Sequence, residues 1–246
     1  MNTYLLITSI VIFLCILLNR VSNRIGIPAL LAFIVLGMLF GSDGIMKIDF
    51  DNYAFAEQIC STALIFIMFY GGFGTNWQRA KAVAVKSVLL STIGVIITCF
   101  LTGLFCHFAL NMNWEISFLL GALISSTDAA SVFSILRSKK LNLKYNTASL
   151  LEVESGSNDP CAYMLTVAFI SISQGSASPG NIAILIVKQL AFGIIFGVLI
   201  AKLSIMLLRY IRFKSAGFDA IFMVGIAIIS YALPAYFDGN GFLSAI

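Results

Sequence analysis

The chain has 246 residues, of which 60% are hydrophobic and 11% are charged, and its mean hydropathy is +1.00. A soluble domain has about 25% charged residues, so this composition excludes an ordinary soluble enzyme or binding module and predicts a polytopic membrane protein. The formal net charge of +4 does not predict a nucleic-acid partner, because basic residues of membrane proteins usually reflect the orientation of the loops.

Hydrophobic segments of spanning length recur along the chain and predict an all-α membrane helix bundle of about eight spans, with the start of another at Gly241. The first segment lacks the basic start and the small-residue cleavage site of a signal peptide, so we expect it to stay in the membrane. We expect one membrane domain over residues 1–246. The segments are 4–19, 27–42, 58–76, 87–109, 116–136, 146–172, 182–207 and 219–236.

Charge alternates between the loops and predicts the orientation of the chain. Basic loops alternate with loops that hold almost only acidic residues, and basic loops stay in the cytoplasm. This pattern predicts a multi-pass protein of the cell (cytoplasmic) membrane with its amino terminus outside. The basic residues are Arg20, Arg24, Arg79, Lys81, Lys86, Arg137, Lys139, Lys140, Lys144, Arg209, Arg212 and Lys214.

The cysteines, a glycine pair and the single histidine are interpreted as packing residues. The five cysteines lack the paired spacing of a zinc site or of a disulfide framework. Gly71 and Gly72 permit close approach of helices. His107, near the outer end of the fourth segment, is expected to pack there and not to relay protons. No cofactor is predicted.

The fifth hydrophobic segment is expected to be interrupted. Its centre reads Ser125-Ser126-Thr127-Asp128, residues that favour caps and turns because their side chains compete for backbone hydrogen bonds. We expect an unwound crossing with Asp128 as the N-cap of a second half-helix, and broken helices of this kind build ion sites in transporters. The alternative is a continuous helix whose hydroxyls bond back to its own carbonyls.

The sixth segment contains a polar run at 154–160, which reads Glu-Ser-Gly-Ser-Asn-Asp-Pro. A carboxylate at the bilayer centre costs roughly 3 kcal/mol even on a lenient scale, so such residues face a bundle interior, water or an ion. On a helix, residues four apart share a face, which pairs Glu154 with Asn158 and Ser155 with Asp159. The run is therefore a candidate functional site.

Pro160 adds a backbone oxygen to this candidate site. It has no N–H and its ring clashes with the carbonyl of Gly156, which therefore loses its helical partner. Carboxylate, hydroxyl, side-chain amide and free carbonyl are hard oxygen donors, the ligand type that suits weakly bound alkali cations. The run predicts a site for a monovalent cation that sheds its water.

At these residues the chain resembles the monovalent cation:proton antiporter superfamily, in its sodium/proton-exchanger branch. That branch carries a Glu-Ser-x-x-Asn-Asp motif in its sixth span and a Thr-Asp pair in the broken span before it. The resemblance covers the whole chain, which is most similar to the bacterial potassium/proton antiporters of this branch. It implies an inverted-repeat antiporter fold with broken helices. The matching residues are Thr127, Asp128, Glu154, Ser155, Asn158 and Asp159.

The resemblance also implies a role for each residue of the cation site. Asp159 would bind the cation and the proton alternately. Ser155 and the main chain of Thr127 would supply further oxygen ligands to the monovalent cation, and Asp128 would act through water.

Structural support of the site is implied for Glu154 and Asn158, which brace the unwound chain in the family. Gly156 and Pro160 belong to this supporting set through the loosened carbonyl. One departure concerns selectivity, because some sodium-selective relatives have an acidic residue at the position of Tyr70.

The resemblance further implies partners and a greater length. Members of the family continue through a second inverted repeat, and the potassium/proton members usually carry a cytoplasmic regulatory domain after it. We therefore expect a membrane transport domain that is incomplete, truncated in its second repeat, with its carboxy-terminal spans missing. The expected partners are membrane lipid and a second copy of the chain in a homodimer, with no nucleic acid.

These observations predict a secondary antiporter, not an enzyme, that exchanges K+ or Na+ for H+ by competition of cation and proton at Asp159. Oxygen ligands accommodate either cation, so the selectivity stays open. One alternative is a truncated, non-transporting remnant or assembly partner. A remote alternative is an intramembrane aspartyl protease that uses Asp128 and Asp159, although its Gly-x-Gly-Asp signature is missing.

Overall fold

The fold is that of a computed structural model, which describes residues 2–25, 29–138, 143–175, 179–210 and 216–246. Within these ranges every regular element is a helix, as the composition predicts. The chain divides into two compact units, Met1–Ile59 and Cys60–Ile246, and the boundary falls inside the third helix.

The first unit consists of two apolar helices and the start of a third. Helix α1 spans Asn2–Ile25 and helix α2 spans Ala29–Phe40, and these two pack against one another. After α2 the chain turns back, because the N–H of Met46 donates to the carbonyl of Leu39 at 3.1 Å. Most large apolar side chains of both helices are exposed, which fits a lipid surround.

The second unit contains the remaining helices. Helix α4 continues through a π-helical turn, Leu90–Gly94, into α5, so that the three form one long rod. The helices are α3 (Tyr53–Phe73, which begins in the first unit), α4 (Trp77–Leu89), α5 (Val95–Leu110), α6 (Trp114–Ile124), α7 (Ala129–Ser138), α8 (Thr147–Ser173), α9 (Pro179–Tyr210), α10 (Ala216–Tyr236) and α11 (Gly241–Ala245), with a 3-10 turn at Lys144–Asn146 before α8.

Five helical stretches of the described chain are long and apolar enough to cross a membrane. The other predicted segments differ for physical reasons. Helix α2 is short, α6 and α7 are two halves of one segment, and the polar run lowers the hydropathy of α8. Each hydrophobic segment of the sequence therefore contains at least one helix. The five stretches are Leu5–Ser22, Tyr53–Phe73, Gln78–Leu110, Gly180–Tyr210 and Gly217–Tyr236.

Several basic residues that were predicted to lie in loops lie on helices instead. The cause is that a hydropathy pattern detects only the apolar part of a helix, whereas α1 and α4 extend further through polar turns. Helix α4 begins at Trp77, before the apolar part of the segment, because Asn76 is its N-cap. The Asn76 side chain accepts the N–H of Arg79 at 3.3 Å. The helical basic residues are Arg20, Arg24, Arg79, Lys81, Lys86, Arg137 and Arg209, and Lys144 lies in the 3-10 turn, whereas Lys139, Lys140, Arg212 and Lys214 lie outside the described residues. The orientation across the membrane stays a prediction.

Helices α5 and α6 pack closely because small residues face each other. A Cβ added at Gly121 would lie 2.3 Å from the carbonyl oxygen of Cys99. Where α5 ends and α6 begins, the ring of His107 stacks on Trp114 with a centroid distance of 3.7 Å, and its Nδ1 donates to the Met112 carbonyl at 2.8 Å. This environment matches the packing role predicted for the histidine.

A small apolar core surrounds the second half of the broken segment. Met68 of α3, Phe133 of α7 and Ala245 of α11 pack together there with Ala129. A Cβ at Gly71 would lie 2.2 Å from the Phe133 ring, so this glycine permits the close packing that the sequence predicts. This core therefore joins residues of α3, α7 and α11.

We expect Gly121→Ala to destabilise the protein by about 1–3 kcal/mol, the usual cost of overpacking. The added methyl group meets a backbone carbonyl, which cannot rotate away, so α5 and α6 must separate. Thermal unfolding of the detergent-solubilised protein should show a lower Tm. Gly225→Ala in α10 is the matched control, because a Cβ there has no neighbour within 4 Å. Equal Tm values for the two variants would contradict this packing.

Candidate cation and proton site

The fifth hydrophobic segment is broken in the structure, as the sequence predicts. Helix α6 ends at Ile124 and α7 begins at Ala129. At the start of the break, the hydroxyl of Ser125 donates to the Ala122 carbonyl at 2.7 Å and closes α6. The residues between the half-helices are called here the unwound stretch, 125–128.

Asp128 caps the second half-helix, which confirms its predicted local role. Its Oδ1 accepts the N–H of Ser131 at 3.2 Å, its Oδ2 accepts the Ser131 hydroxyl, and its carbonyl accepts the N–H of Val132 at 3.1 Å. A side-chain oxygen that accepts from the third residue of a helix is the usual N-cap bond. The side chain of Asp128 is exposed.

Asn158 joins α8 to the unwound stretch. The residue is 0% exposed. Its Nδ2 donates to Glu154 Oε1 at 3.2 Å on its own helix and to Thr127 Oγ1 at 2.5 Å, and its Oδ1 accepts the hydroxyl of Ser126 at 3.3 Å. The pairing of Glu154 with Asn158 on one face is therefore confirmed.

Asp159 lies beside the same stretch and meets a residue that the sequence analysis did not select. The Ser126 hydroxyl donates to Asp159 Oδ1, and it also lies 3.3 Å from the carbonyl oxygen of Thr127. A hydroxyl carries one proton, so Ser126 donates at any one time to Asp159, to Asn158 Oδ1 or to the Thr127 carbonyl. The only sequence signal for Ser126 was its place in the predicted break.

Ser155 faces the unwound stretch through its hydroxyl. Thr127 Oγ1 donates to Ser155 Oγ at 3.3 Å, and Ser155 Oγ donates to Glu154 Oε2 at 3.3 Å. Ser155 is 1% exposed. The structure thus brings Thr127, Ser155 and Asp159 to one side of α8.

Gly156 and Pro160 lie buried within α8, which runs on through the proline. Pro160 has no N–H to offer the Gly156 carbonyl. The carbonyl of Pro160 itself accepts a hydrogen bond from the side chain of Asn240 at 3.1 Å. A Cβ at Gly156 would touch the Phe133 ring at 3.6 Å, an ordinary contact distance.

The two aspartates of the site have different partners. Asp128 is bonded to its own half-helix through Ser131, whereas Asp159 is bonded across the helices to Ser126. Asp159 therefore offers a carboxylate among hydroxyl groups that come from two chain segments.

The donor set consists of oxygen atoms from carboxylate, hydroxyl and backbone groups. Oxygen-only surroundings suit alkali and alkaline-earth cations, and thiolate or imidazole ligands suit transition metals. Within the part of the chain that the structure describes, no three His, Cys, Asp or Glu side chains come together to hold a metal ion. The oxygen-only donor set is therefore of the type that alkali cations prefer.

Comparison with known proteins agrees with this chemistry. The family described as "Sodium/hydrogen exchanger, transmembrane" matches residues 9–246. The K(+)/H(+) antiporter NhaP of Alkalimonas amylolytica is 38% identical over 244 residues, which are 99% of this chain and 42% of that protein. The K(+)/H(+) antiporter NhaP2 of Shewanella sp. strain MR-4 is 34% identical and covers the same shares of the two chains.

Archaeal relatives extend the comparison to the fold. The probable Na(+)/H(+) antiporter 2 of Methanocaldococcus jannaschii is 26% identical over 86% of this chain and 49% of its own. The structure of the sodium proton antiporter MjNhaP1 from the same organism, at pH 8, superposes with a TM-score of 0.80 at 22% identity, over 100% of this chain and 60% of that chain. This likeness confirms the antiporter fold.

The chain spans less than half the length of the curated antiporters it matches, 42% for the bacterial proteins. The family match nevertheless extends over almost all of the chain, and it coincides with the broken helix, the polar run and the oxygen-lined site. The chain therefore belongs to the transmembrane sodium/hydrogen exchanger family.

Proposed function

We propose that the protein to which this chain belongs exchanges a monovalent cation, K+ or Na+, for H+ across the cell membrane, with Asp159 as the shared binding group. The observation that carries the proposal is the placement of Asp159 on α8 against the unwound stretch, where the Ser126 hydroxyl is bonded to it. The matched relatives are named as K(+)/H(+) or Na(+)/H(+) antiporters, which supports this reaction over proteolysis.

The exchange follows from competition at one carboxylate. A proton on Asp159 neutralises the charge that a cation needs, and a bound cation holds the carboxylate in its ionised form, so the two ligands exclude each other. Each passage of the site across the membrane then carries one or the other. Rocking of one helix bundle against another exposes such a midplane site to each side in turn.

The neighbouring oxygens complete the proposed cation site. Ser155 and the main chain of Thr127 serve as further ligands. Ser155 precedes Asp159 by four residues on α8, and the Thr127 carbonyl lies 3.3 Å from the Ser126 hydroxyl that donates to Asp159. Asp128 contributes its charge through water, because its oxygens are bonded to Ser131.

Support of the site is assigned to residues that touch the ligands. Asn158 and Glu154 hold Thr127 and Ser155 through the hydrogen bonds described above. Gly156 and Pro160 shape α8 where its helical bonding is interrupted.

The wider arrangement is also proposed. Residues 1–246 form part of a membrane transport domain, with the amino terminus outside and the basic ends of the spans in the cytoplasm of the cell. Lipid surrounds the exposed apolar side chains, and two copies associate as a homodimer. In the whole protein, further spans and a cytoplasmic regulatory domain follow these residues.

A second candidate is a chain that does not transport by itself but is a remnant or assembles with other segments. This chain covers only 42% of the length of the bacterial relatives, and this coverage is the reason to test whether residues 1–246 transport by themselves. Residues 1–246 alone and the protein at its full natural length should be compared in the same vesicle assay. A proton signal from residues 1–246 alone would exclude this candidate, and its absence beside an active full-length protein would support it.

We expect Asp159→Asn to abolish cation-evoked proton movement, because the amide can neither be protonated in the working range nor pair with a cation as a carboxylate does. Inverted vesicles that contain the full-length variant, followed with a pH-sensitive dye, provide the measurement. Asp219→Asn, at the exposed start of α10, is the control carboxylate and should retain exchange. Exchange by Asp159→Asn at the wild-type rate would refute the assignment.

We expect Ser126→Ala to raise the apparent KM for the cation by about tenfold, because a hydrogen bond to a charged group contributes about 1.5–3 kcal/mol. Titrations with potassium and with sodium in the same vesicles measure this apparent KM. Thr166→Val is the control, since the Thr166 hydroxyl donates to the Ala162 carbonyl of its own helix at 2.8 Å. If both variants keep the wild-type KM, Ser126 has no part in cation binding.

A further inference from the structure

A buried asparagine outside the two antiporter motifs is bonded to the chain beside Asp159. Asn240 is 1% exposed, and its Nδ2 donates to the carbonyl oxygen of Pro160 at 3.1 Å. Its Oδ1 accepts the N–H of Leu243 at 3.0 Å, so Asn240 is also the N-cap of α11. Its own N–H donates to the Gln189 carbonyl of α9 at 3.1 Å.

Helix α11 is hydrogen-bonded to α8 at one end and shares an apolar cluster with α7 at the other. At its start, Asn240 holds α8 at Pro160, the residue that follows Asp159. At its end, Ala245 belongs to the same buried apolar cluster as Ala129, which is the first residue of α7 and follows the unwound stretch. The short helix therefore links the carboxylate-bearing segment to the broken crossing.

Asn240 is bonded to α8 at a point where the helix lacks a backbone hydrogen bond. Pro160 removes one hydrogen bond from the ladder, and proline is a common cause of helix kinks. The direction of α8 on either side of Pro160 is then set partly by groups outside the helix. The Asn240 amide is such a group, and its partner oxygen lies on the residue next to Asp159.

We propose that Asn240 is a positioning residue, which holds Asp159 against the unwound stretch by anchoring the Pro160 carbonyl to α11. The inference rests on the proposed function, because it assigns Asn240 a role in the geometry of that same site. Loss of the anchor lets α8 turn at the proline, and the Asp159 carboxylate then meets Ser126 less often. Cation binding weakens, whereas the movement that carries the site across the membrane is retained.

Asn240→Ser separates the two bonds of this side chain. Serine caps a helix about as well as asparagine, so the bond to Leu243 is kept, but its side chain is too short to reach Pro160. In the full-length protein we expect the apparent KM for K+ or Na+ to rise about three- to tenfold, the size expected for one hydrogen bond. The maximal exchange rate should stay within about twofold of wild type.

Ser244→Ala is the matched control on the same helix. Ser244 is 7% exposed, and its hydroxyl has no hydrogen-bond partner among the described residues, so its removal leaves the packing of α11 in place. Its apparent KM should equal that of wild type. Proton movement in inverted vesicles, titrated with K+ and with Na+ at several pH values, gives both kinetic parameters for each variant.

The outcomes separate this inference from the proposed function. If Asp159→Asn is inactive and Asn240→Ser keeps the wild-type KM and pH profile, the positioning role is overturned and the proposed function stands. A fall in maximal rate or in protein level at unchanged KM also overturns it, since that pattern indicates a purely structural residue. Exchange by Asp159→Asn would remove the proposed function and this inference together.

A second variant covers the case in which Asn240→Ser does not accumulate in the membrane. Asn240→Asp keeps the shape of the side chain and the oxygen that caps α11, but it loses the amide donor to Pro160. The same rise in KM supports the positioning role, and a wild-type KM overturns it.

Discussion

The site depends on the burial of one side-chain amide, that of Asn158. An amide without partners in an apolar interior costs several kcal/mol on hydrocarbon scales, so Asn158 is stable only where its donors and its acceptor are used. The structure uses its donors on Glu154 and Thr127, and its acceptor oxygen lies 3.3 Å from the Ser126 hydroxyl, whose one proton it shares with Asp159. These bonds are specific to an amide, because an ionised carboxylate at this position donates to neither Glu154 nor Thr127. The position of the unwound stretch relative to α8 follows from this requirement.

Interruption of two neighbouring helices creates the polar groups that the site needs. In a lipid surround, backbone groups that lose their helical partners must find others within the protein. Side chains meet much of this demand here. Ser125 closes α6 and Asp128 caps α7. Asp159 accepts a hydrogen bond from a hydroxyl group, that of Ser126, which is compatible with the exchange of a proton and a cation that we propose for it.

Features with local causes could be predicted from the sequence, and the broken helix is the clearest of them. A run of cap-forming residues in an apolar segment is sufficient to predict the break at 125–128 and the N-cap role of Asp128, and the polar run identifies the face of α8. Helix ends were predicted less well, because α1 carries Arg20 on a polar turn beyond its apolar part. The contact of Ser126 with Asp159 could not be predicted, since the direction of a side chain in unwound backbone depends on what packs beside it. Asn240 was missed for a similar reason, because it lies 80 residues from its partner in sequence.

The position of α11 depends in turn on glycines of α9, a helix without any residue of the motifs. A Cβ added at Gly193 would lie 3.0 Å from the carbonyl oxygen of Asn240, and one at Gly197 would lie 3.2 Å from the Cα of Ser244. Both neighbours are backbone atoms, so α11 can lie this close only where α9 has no side chain. Close approach through small residues is how helices associate in lipid, where no hydrophobic force drives them together. The carboxylate at the site is thus placed by a succession of contacts from α9 to α11 and from Asn240 to Pro160. Its geometry is a consequence of apolar helix packing as much as of the polar residues around it.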